Sequence, residues 1–192
     1  LAVFTTDAPA TDLGTVVDAM LADPLPQADA PFAPDEVFDS YCVFETTIPM
    51  PVYQGGKPPY SDSGGAWVFD AKGRPVLQRS EESNFVVTVP RQAMPAKGFP
   101  IVLLSRTGAG GERPLVDRGE QETHDGPSIV PGTGPAFYFA MAGYAGASID
   151  GPLGGLRNTT HGDEQFLIFN AGNPRALRAN LRQSAAELAL QA

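Results

Sequence analysis

Two glycine-rich loops hold the residues of this sequence that are best placed to do chemistry. The first, 107–111 (TGAGG), follows the apolar run Phe99–Leu104, and the second, 151–155 (GPLGG), follows the apolar run Tyr144–Asp150. Small residues let another group come close to the main chain, whose N–H groups are donors. A phosphate loop is one such site, but the first loop lacks the Lys-Ser/Thr ending of that motif and Glu112 would repel phosphate. Phosphate binding is therefore not expected.

No serine or cysteine lies in a recognised nucleophile motif. The G-x-S-x-G of serine hydrolases is absent, and the nearest stretch, Gly146–Asp150 (GASID), lacks the second glycine and falls in a predicted strand. Asp62–Gly65 (DSGG) is similar to the nucleophile motif of chymotrypsin-like proteases, but that family places its His and Asp before the serine, and both histidines here follow it. We expect Asp62–Gly65 to be a polar turn and Cys42 to be a buried, inert thiol. Asp150 is expected to fix the loop that follows it by hydrogen bonds.

The histidines and their carboxylate neighbours form no strong catalytic or metal-binding pattern. His124 lies in the polar stretch ETHDGP and His161 in NTTHGDE, and both are expected at the surface. Asp163 and Glu164 beside His161 leave a mixed carboxylate–imidazole metal site open. One cysteine and two histidines cannot build a structural zinc site. We expect no metal and no cofactor.

The first half of the chain is predicted to be β-rich after an extended arm. Residues 1–38 form that arm, with a short helix over Asp12–Leu21, and residues 39–192 form the main domain. Strands are predicted at Tyr41–Pro49 and Asn84–Pro90. A hairpin is predicted between them, with strands at Ala66–Asp70 and Pro75–Arg79.

The second half alternates strand, helix, strand and helix, which predicts a parallel crossover sheet with the earlier hairpins as its antiparallel edge. Pro135 is expected to open a helix and Gly143 to end it, and Asn173 is expected to cap a helix that begins at Pro174. The apolar face predicted for that last helix is Leu177, Leu181, Ser184 and Leu188. Active groups of such sheets lie at the carboxyl ends of strands, so the loops after Leu104 and Asp150 should lie on the same rim.

Three phrases of this second half, in order, are similar to the amino-terminal part of bacterial α/β-hydrolases of the lipase or esterase kind. They are LLSRTGAGG, SIDGPLGG and NPRALRANLRQSAAEL, and the resemblance covers residues 85–190. The family's first phrase usually has a His before the glycine, where this chain has Thr107 (or Arg106 in a shorter alignment). The second phrase often has a His where this chain has Gly154. These departures alter side chains of the loops and leave a main-chain role open to both.

The resemblance implies the amino-terminal half of an α/β-hydrolase sheet, with antiparallel edge hairpins followed by parallel strands and crossover helices. It implies that the main-chain N–H of Gly108 or Ala109 donates to the oxyanion of a tetrahedral intermediate. It also implies a cleft lined by Arg106, Thr107, Gly151, Pro152 and Leu153.

In such a fold the next element is the strand and tight turn with the nucleophilic serine, and the sequence ends at Ala192, before that turn. We therefore expect the amino-terminal chain of a two-chain serine esterase, inactive by itself, whose second chain carries Ser, Asp or Glu, and His. Strand Tyr144–Asp150 is too apolar to stand as an exposed edge, which also favours a partner chain. The expected substrate is a carboxylic ester, small or lipid-like.

Composition narrows the setting. The 192 residues carry a formal charge of −9, which argues against a nucleic-acid surface, and no run of about 18 apolar residues predicts a membrane span. The high Gly and Pro content (21 and 19 residues) and a first residue that is Leu favour an exported, secreted or periplasmic bacterial protein.

Two other function classes remain open from the sequence. One is a non-catalytic, β-rich binding protein that uses the polar stretch 112–131 as a recognition loop, and the other is a mixed-carboxylate metalloenzyme. The face Leu177–Leu188 discriminates the first of these from the esterase. A self-contained binding protein must cover it with its own strands, whereas the esterase leaves part of it for the partner.

Overall fold

The computed structural model describes residues 9–105, 113–123 and 126–192, which form a five-stranded sheet with helices. The strands are β1 Ala33–Val37, β2 Tyr41–Val52, β3 Arg79–Pro90, β4 Ile101–Leu103 and β5 Ala145–Ile149. The helices are α1 Pro9–Ala22, α2 Pro114–Asp117, α3 Pro135–Met141, α4 Glu164–Phe169 and α5 Pro174–Gln191, with a single 3-10 turn at Gly155–Arg157 in the described part of the chain.

The sheet is mixed, with the strand order β1-β2-β3-β5-β4. Neighbours are antiparallel from β1 to β5, and β4 and β5 are parallel. The longest ladder joins β2 and β3, from the pair Tyr41–Pro90 to the pair Val52–Arg79. The predicted α/β class, with an antiparallel part followed by parallel strands, is therefore confirmed at the level of a mixed sheet.

Both faces of the sheet are covered. Phe85 and Val86 are consecutive in β3 and so point to opposite faces. Val86 belongs to a cluster beneath α2 and α3, whose other buried members are Tyr41, Val43, Leu115, Val116, Ala136 and Ala140. Phe85 packs on the other face with residues of β2, β5 and α5, namely Ile48, Met50, Ile149 and Leu190. Parallel strands occur almost only in sheets whose two faces are both covered, so this packing fits the parallel pair β4 and β5.

The amino-terminal segment is attached to the domain at two places. The helix predicted over Asp12–Leu21 is α1, and its Val16 and Met20 are buried against Tyr53 and Ala186. Strand β1 lies within the stretch that the sequence assigned to an extended arm, and it pairs with β2. Part of the arm segment is therefore an edge strand of the sheet.

The predicted helix boundaries in the second half are confirmed. Pro135 is the first residue of α3, and Gly143 follows its end with a φ of 81°, a conformation that side chains with a Cβ rarely adopt. Pro174 opens α5, and the Oδ1 of Asn173 accepts from the N–H of Ala176 at 3.3 Å. Local residue chemistry sets these ends because each satisfies main-chain groups that the helix leaves unpaired.

The hairpin predicted between β2 and β3 forms only as a turn with isolated bridges: neither predicted strand, Ala66–Asp70 or Pro75–Arg79, is formed, and Arg79 instead begins β3. The N–H of Asp70 donates to the carbonyl of Arg74 at 2.9 Å, and the N–H of Val76 donates to the carbonyl of Val68 at 2.8 Å. Phe69 bridges to Pro75. Because Pro75 has no N–H to donate, pairing at this position is limited to a single bridge.

The polar stretch 112–131, named above as a recognition loop of the binding-protein alternative, contains the short helix α2. Leu115 and Val116 are fully buried in that four-residue helix. Two adjacent apolar residues give no helical periodicity, so the sequence pattern carried no sign of the helix. Packing against α3 stabilises it instead.

The face of α5 that is buried is not the apolar face Leu177, Leu181, Ser184 and Leu188. Leu181 is 41 % exposed, and Leu177 and Leu188 are half-buried. The buried face consists of small and polar side chains, namely Ala176, Ala179, Asn180, Gln183, Ala186 and Glu187. Periodicity of leucine could not reveal a face that is held by hydrogen bonds. No described helix is both long and apolar enough to cross a bilayer.

Candidate functional site

The segments that follow β4 and β5 begin at one edge of the sheet, which we call the rim. Ile101–Leu103 pair in parallel with Ala145–Ala147, and the N–H of Leu104 donates to the Ala147 carbonyl at 2.8 Å. The two strands therefore end at the same edge, as predicted, and the loop after β5 begins there. Four residues that the sequence assigned to the first loop lie outside the described residues: Arg106, Thr107, Gly108 and Ala109.

The loop 151–155 after β5 is tightly packed. Pro152, Leu153 and Gly154 are buried, and Gly151 is half-buried. The side chain of Leu153 lies in a cluster with Tyr60 and with residues of α4 and α5. Leu153 has a φ of 61°, the left-handed region that is unfavourable for a leucine. Packing overrides the local preference of Leu153, so the path of this loop is set by the tertiary structure.

Asp150 anchors this loop to the sheet. The carboxylate is buried, and its Oδ2 accepts from the N–H of Asn84 in β3 and of Leu156 beyond the loop, both at 3.0 Å. The loop-fixing role predicted for Asp150 is thereby confirmed. At the loop's end, the N–H of Gly155 donates to Oε1 of Glu164 at 2.8 Å. Carboxylates therefore hold the rim loop at both of its ends.

The buried Arg157 links the end of β5 to β3 and α5. The side chain of Arg157 has no exposed surface. Its Nη1 and Nη2 donate to Glu187 at 2.7 and 2.9 Å, and its Nε donates to Glu81 at 2.9 Å. Nη1 also donates to the carbonyl of Asp150 at 3.2 Å. Burial alone lowers the pKa of Arg157, but the carboxylates of Glu187 and Glu81 outweigh it and raise the pKa above its ordinary value.

The ion network continues to the segment between β2 and the hairpin. Arg79 donates to Oε1 of Glu81 at 2.8 and 2.6 Å, and it also donates to the hydroxyl of Tyr60. Its Nη1 donates to the carbonyl of Gln54 at 2.9 Å. Burial raises the pKa of Tyr60 above its ordinary value, and the bond from Arg79 opposes this. The hydroxyl therefore stays protonated at neutral pH.

Amide side chains fix the same segment to α4 and α5. Asn170 and Asn173 each donate to the Tyr60 carbonyl, at 3.0 and 2.8 Å. Asn173 also donates to the carbonyl of Gly64 at 3.2 Å. The stretch Asp62–Gly65 is a bend followed by two glycines with positive φ, and Ser63 is exposed. The polar turn expected there is confirmed.

The main chain after the undescribed residues 106–112 resumes at Arg113, which is surrounded by carboxylates. Arg113 contacts Asp35, Glu36 at 2.7 Å and Glu45 at 3.3 Å. It donates to Asp117 through two bonds, at 3.1 and 3.0 Å. The carboxylates raise the pKa of Arg113 against the effect of burial, with the bonds to Asp117 the largest cause. Arg113 thereby fixes the returning end of the first rim loop to β1 and β2.

Glu45 gives this cluster a pH dependence that can be measured. Burial and then Asp35 raise the pKa of Glu45, and Arg113 only partly opposes them. The folded protein therefore holds the Glu45 proton more tightly than the unfolded chain, so this group's contribution to stability is lost as the pH rises through its titration. We expect Glu45→Gln to gain stability relative to the native chain between about pH 4 and pH 7, measured by urea unfolding.

The matched control for Glu45 is Asp117→Asn. That substitution takes a carboxylate from two N–H groups of Arg113, so it should lower stability at neutral pH. A Glu45→Gln variant that loses the same stability at every pH would contradict the predicted direction of the Glu45 pKa.

The described histidine takes no catalytic position. His161 is exposed with a φ of 52°, and among the described residues no serine or cysteine side chain is hydrogen-bonded to it. His124 lies outside the described residues. Asp163 caps α4 by accepting from the N–H of Gln165 at 2.9 Å, and Glu164 accepts from the N–H of Gly155. Over the described ranges, no three His, Cys, Asp or Glu side chains are grouped as a metal would require.

The sequence analysis did not identify the buried ion pairs that lie next to the rim loop. Glu81 and Arg157 are 76 positions apart, and Arg157 and Glu187 are 30 apart, so no local spacing joins them. One sign was available in α5, where polar residues recur at helical spacing among alanines: Asn173, Asn180, Gln183 and Glu187. A helix face of alanines and amides indicates burial by hydrogen bonding.

A scan against protein-family models and a search of curated proteins each found no match for this chain.

Proposed function

We propose that this chain is the amino-terminal part of a carboxylic-ester hydrolase of the α/β-hydrolase kind, and that a second chain supplies the nucleophile. The single observation that carries the proposal is the rim. Parallel strands β4 and β5 end side by side, and each is followed by a glycine-rich loop. Crevices at the carboxyl ends of parallel strands are where α/β proteins bind ligands.

The open side of β4 supports a partner chain. In the strand order of the described residues β4 pairs with β5 and lies at the end of the sheet. Ile101 of β4 is 62 % exposed. An apolar edge strand with unpaired main-chain groups is a template for another strand. A strand from the second chain would bury Ile101 and extend the parallel part of the sheet.

The surface of α5 supports the same choice over a self-contained binding protein. Leu181 of the apolar face is 41 % exposed in the described structure. In α4, which packs against α5, Phe166 is 80 % exposed. Single exposed apolar residues are common on monomers, but partial exposure of the apolar face of a long helix beside an exposed phenylalanine is typical of an interface.

The chemistry proposed is acyl transfer to water. A serine of the second chain attacks the ester carbonyl, and its histidine takes the serine proton and later gives it to the leaving alcohol. The main chain at Gly108 or Ala109 donates to the oxyanion, and Arg106, Thr107 and Gly151 line the cleft. Pro152 and Leu153, which the resemblance also assigned to the cleft, are buried and stabilise the loop from within. The carboxylates of Asp150 and Glu164 keep the second loop in place, which a preorganised charge-stabilising site requires. No cofactor enters this reaction.

The proposal is tested by purifying the tagged chain from its natural source and treating the preparation with a fluorophosphonate. We expect a second band on denaturing electrophoresis, label on that band only, and ester hydrolysis in the same fraction. Label on this chain, or a soluble folded monomer that never retains a companion, would overturn the proposal.

A variant at the open edge sharpens this test. Ile101→Lys should reduce the recovered companion and the ester hydrolysis by about tenfold or more, because a lysine opposes edge pairing. Ile129→Lys is the matched control, since Ile129 is 51 % exposed and lies outside the strands. Equal retention of the companion by both variants would exclude β4 as the contact.

A further inference from the structure

A groove lies between the hairpin segment and the first half of α5. Its volume is about 320 Å³, which is at the lower end of the range for small-molecule sites. It is lined by Ala66, Trp67, Phe69, Arg175, Arg178, Ala179 and Arg182. We call it the arginine groove.

The charge of the groove is opposite to that of the chain. Arg175, Arg178 and Arg182 are spaced by three and four residues, so they lie on one side of α5. The whole chain has a formal charge of −9 with 13 basic residues. Concentrating three of these in one concave site makes a local positive field that draws anions.

The opposite wall is aromatic and held in place. Nε1 of Trp67 donates to Oε1 of the buried Gln183 at 3.0 Å, which fixes the indole. Phe69 meets Trp67 edge to face, with ring centroids 6.3 Å apart, and is 44 % exposed. The guanidinium of Arg182 lies 5.9 Å from the Trp67 ring centre. Ala66 and Ala179 are small, which leaves the space between the two walls open.

We propose that the arginine groove binds a small organic anion, a carboxylate with a flat apolar body. The apolar body lies against Phe69 and Trp67, and the carboxylate accepts from Arg175 and Arg178. Arg178 and Arg182 also interact within the protein. A guanidinium has five N–H donors, so such a side chain still has donors for a ligand. This proposal does not rest on the proposed function.

The test is titration of the purified protein, with any companion it retains, using phenylacetate and its neutral analogue phenylacetamide. Calorimetry measures the affinity, and fluorescence reports the groove directly because Trp67 is the only tryptophan of the chain. The signal of the Trp67→Phe variant is subtracted to assign the change. For a ligand of this size we expect saturable binding with a Kd of about 1 mM or below, and at least tenfold weaker binding of the amide.

Variants then locate the contact. Arg175→Gln combined with Arg178→Gln should weaken phenylacetate binding by about tenfold or more, because charge-assisted bonds are lost. Arg74→Gln removes one positive charge from an exposed turn and should leave the affinity unchanged. Both arginines of the double variant are exposed, and circular dichroism verifies its fold.

Three results would overturn the proposal. They are the absence of saturable binding up to about 10 mM, equal affinity for phenylacetamide, and an unchanged Kd in the double variant. The comparison of acid and amide uses the unaltered protein, so it decides the matter even if a variant fails to fold. Failure of the esterase proposal would leave all three measurements unaffected.

Discussion

Replacing Arg157 with methionine is expected to lower the free energy of unfolding by about 3–5 kcal/mol. Arg157 is fully buried and provides two hydrogen bonds to Glu187, which is 2 % exposed. Methionine has a similar length but no donor, so Glu187 would keep its charge in the interior with Gln183, at 2.8 Å, as its remaining donor among the described contacts. Urea unfolding followed by circular dichroism measures the loss.

A second substitution distinguishes loss of charge pairing from loss of packing. The double variant Arg157→Met with Glu187→Leu removes both charges, and it should recover much of the stability that the single variant loses. Apolar replacements of a whole buried ion pair are often neutral or stabilising. If the double variant is less stable than Arg157→Met alone, the penalty does not come from an uncompensated carboxylate.

Arg74→Met is the matched control for Arg157→Met. It makes the same change in an ion pair with Asp70, where the arginine side chain is 70 % exposed. Water already screens that pair, so its loss should have a small effect on unfolding. If the two variants lose similar free energies of unfolding, the buried network stabilises the fold no more than an exposed ion pair does.

Replacing Gly155 with alanine is expected to cost about 2–4 kcal/mol of stability and to displace the rim loop. Gly155 has a φ of 52°, and an added Cβ would overlap the carboxylate of Asp150. That carboxylate would have to move away from the N–H groups of Asn84 and Leu156. Urea unfolding measures the loss, and hydrogen exchange at Leu156 reports the broken bond.

Gly73→Ala isolates the contribution of backbone strain in the Gly155 experiment. Gly73 has a φ of 76°, but an added Cβ would meet nothing within 4 Å. Its loss should therefore be about 1–2 kcal/mol, the cost of the left-handed conformation alone. If both glycine variants lose the same stability, Asp150 is not held against Gly155 in solution.

The sequence predicted those parts of the fold that depend on neighbouring residues. Helix starts at Pro135 and Pro174 and the Asn173 cap were correct because capping is a local balance of main-chain hydrogen bonds. The strands β2 and β3 were located by their β-branched and aromatic runs, and β5 was located by the apolar run Tyr144–Asp150. The shared rim followed from strand–helix alternation, because a crossover connection makes two strands parallel.

Predictions failed where a residue's partner is distant along the chain. Leu115 and Val116 are buried against α3, and no periodic pattern in their own segment indicates this burial. The leucines of α5 were predicted to form its apolar face because periodicity counts apolar residues, and this did not reveal which face is buried. The polar face of α5 is buried instead, because Gln183 donates to the Pro51 carbonyl of β2 and Glu187 accepts from Arg157.

The sequence by itself therefore determined where β2, β3 and β5 lie, where α3 and α5 begin, and the edge of the sheet at which β4 and β5 both end. These features follow from local propensity and chain connectivity, which depend on residues that are neighbours in the sequence. Only the tertiary structure decided which face of α5 is buried, that Arg157 joins Glu81 to Glu187, and that Arg175 and Arg178 face Trp67 across a groove. Burial and charge pairing depend on distances in space, and residues 30 to 76 positions apart carry no mark of those distances in their spacing.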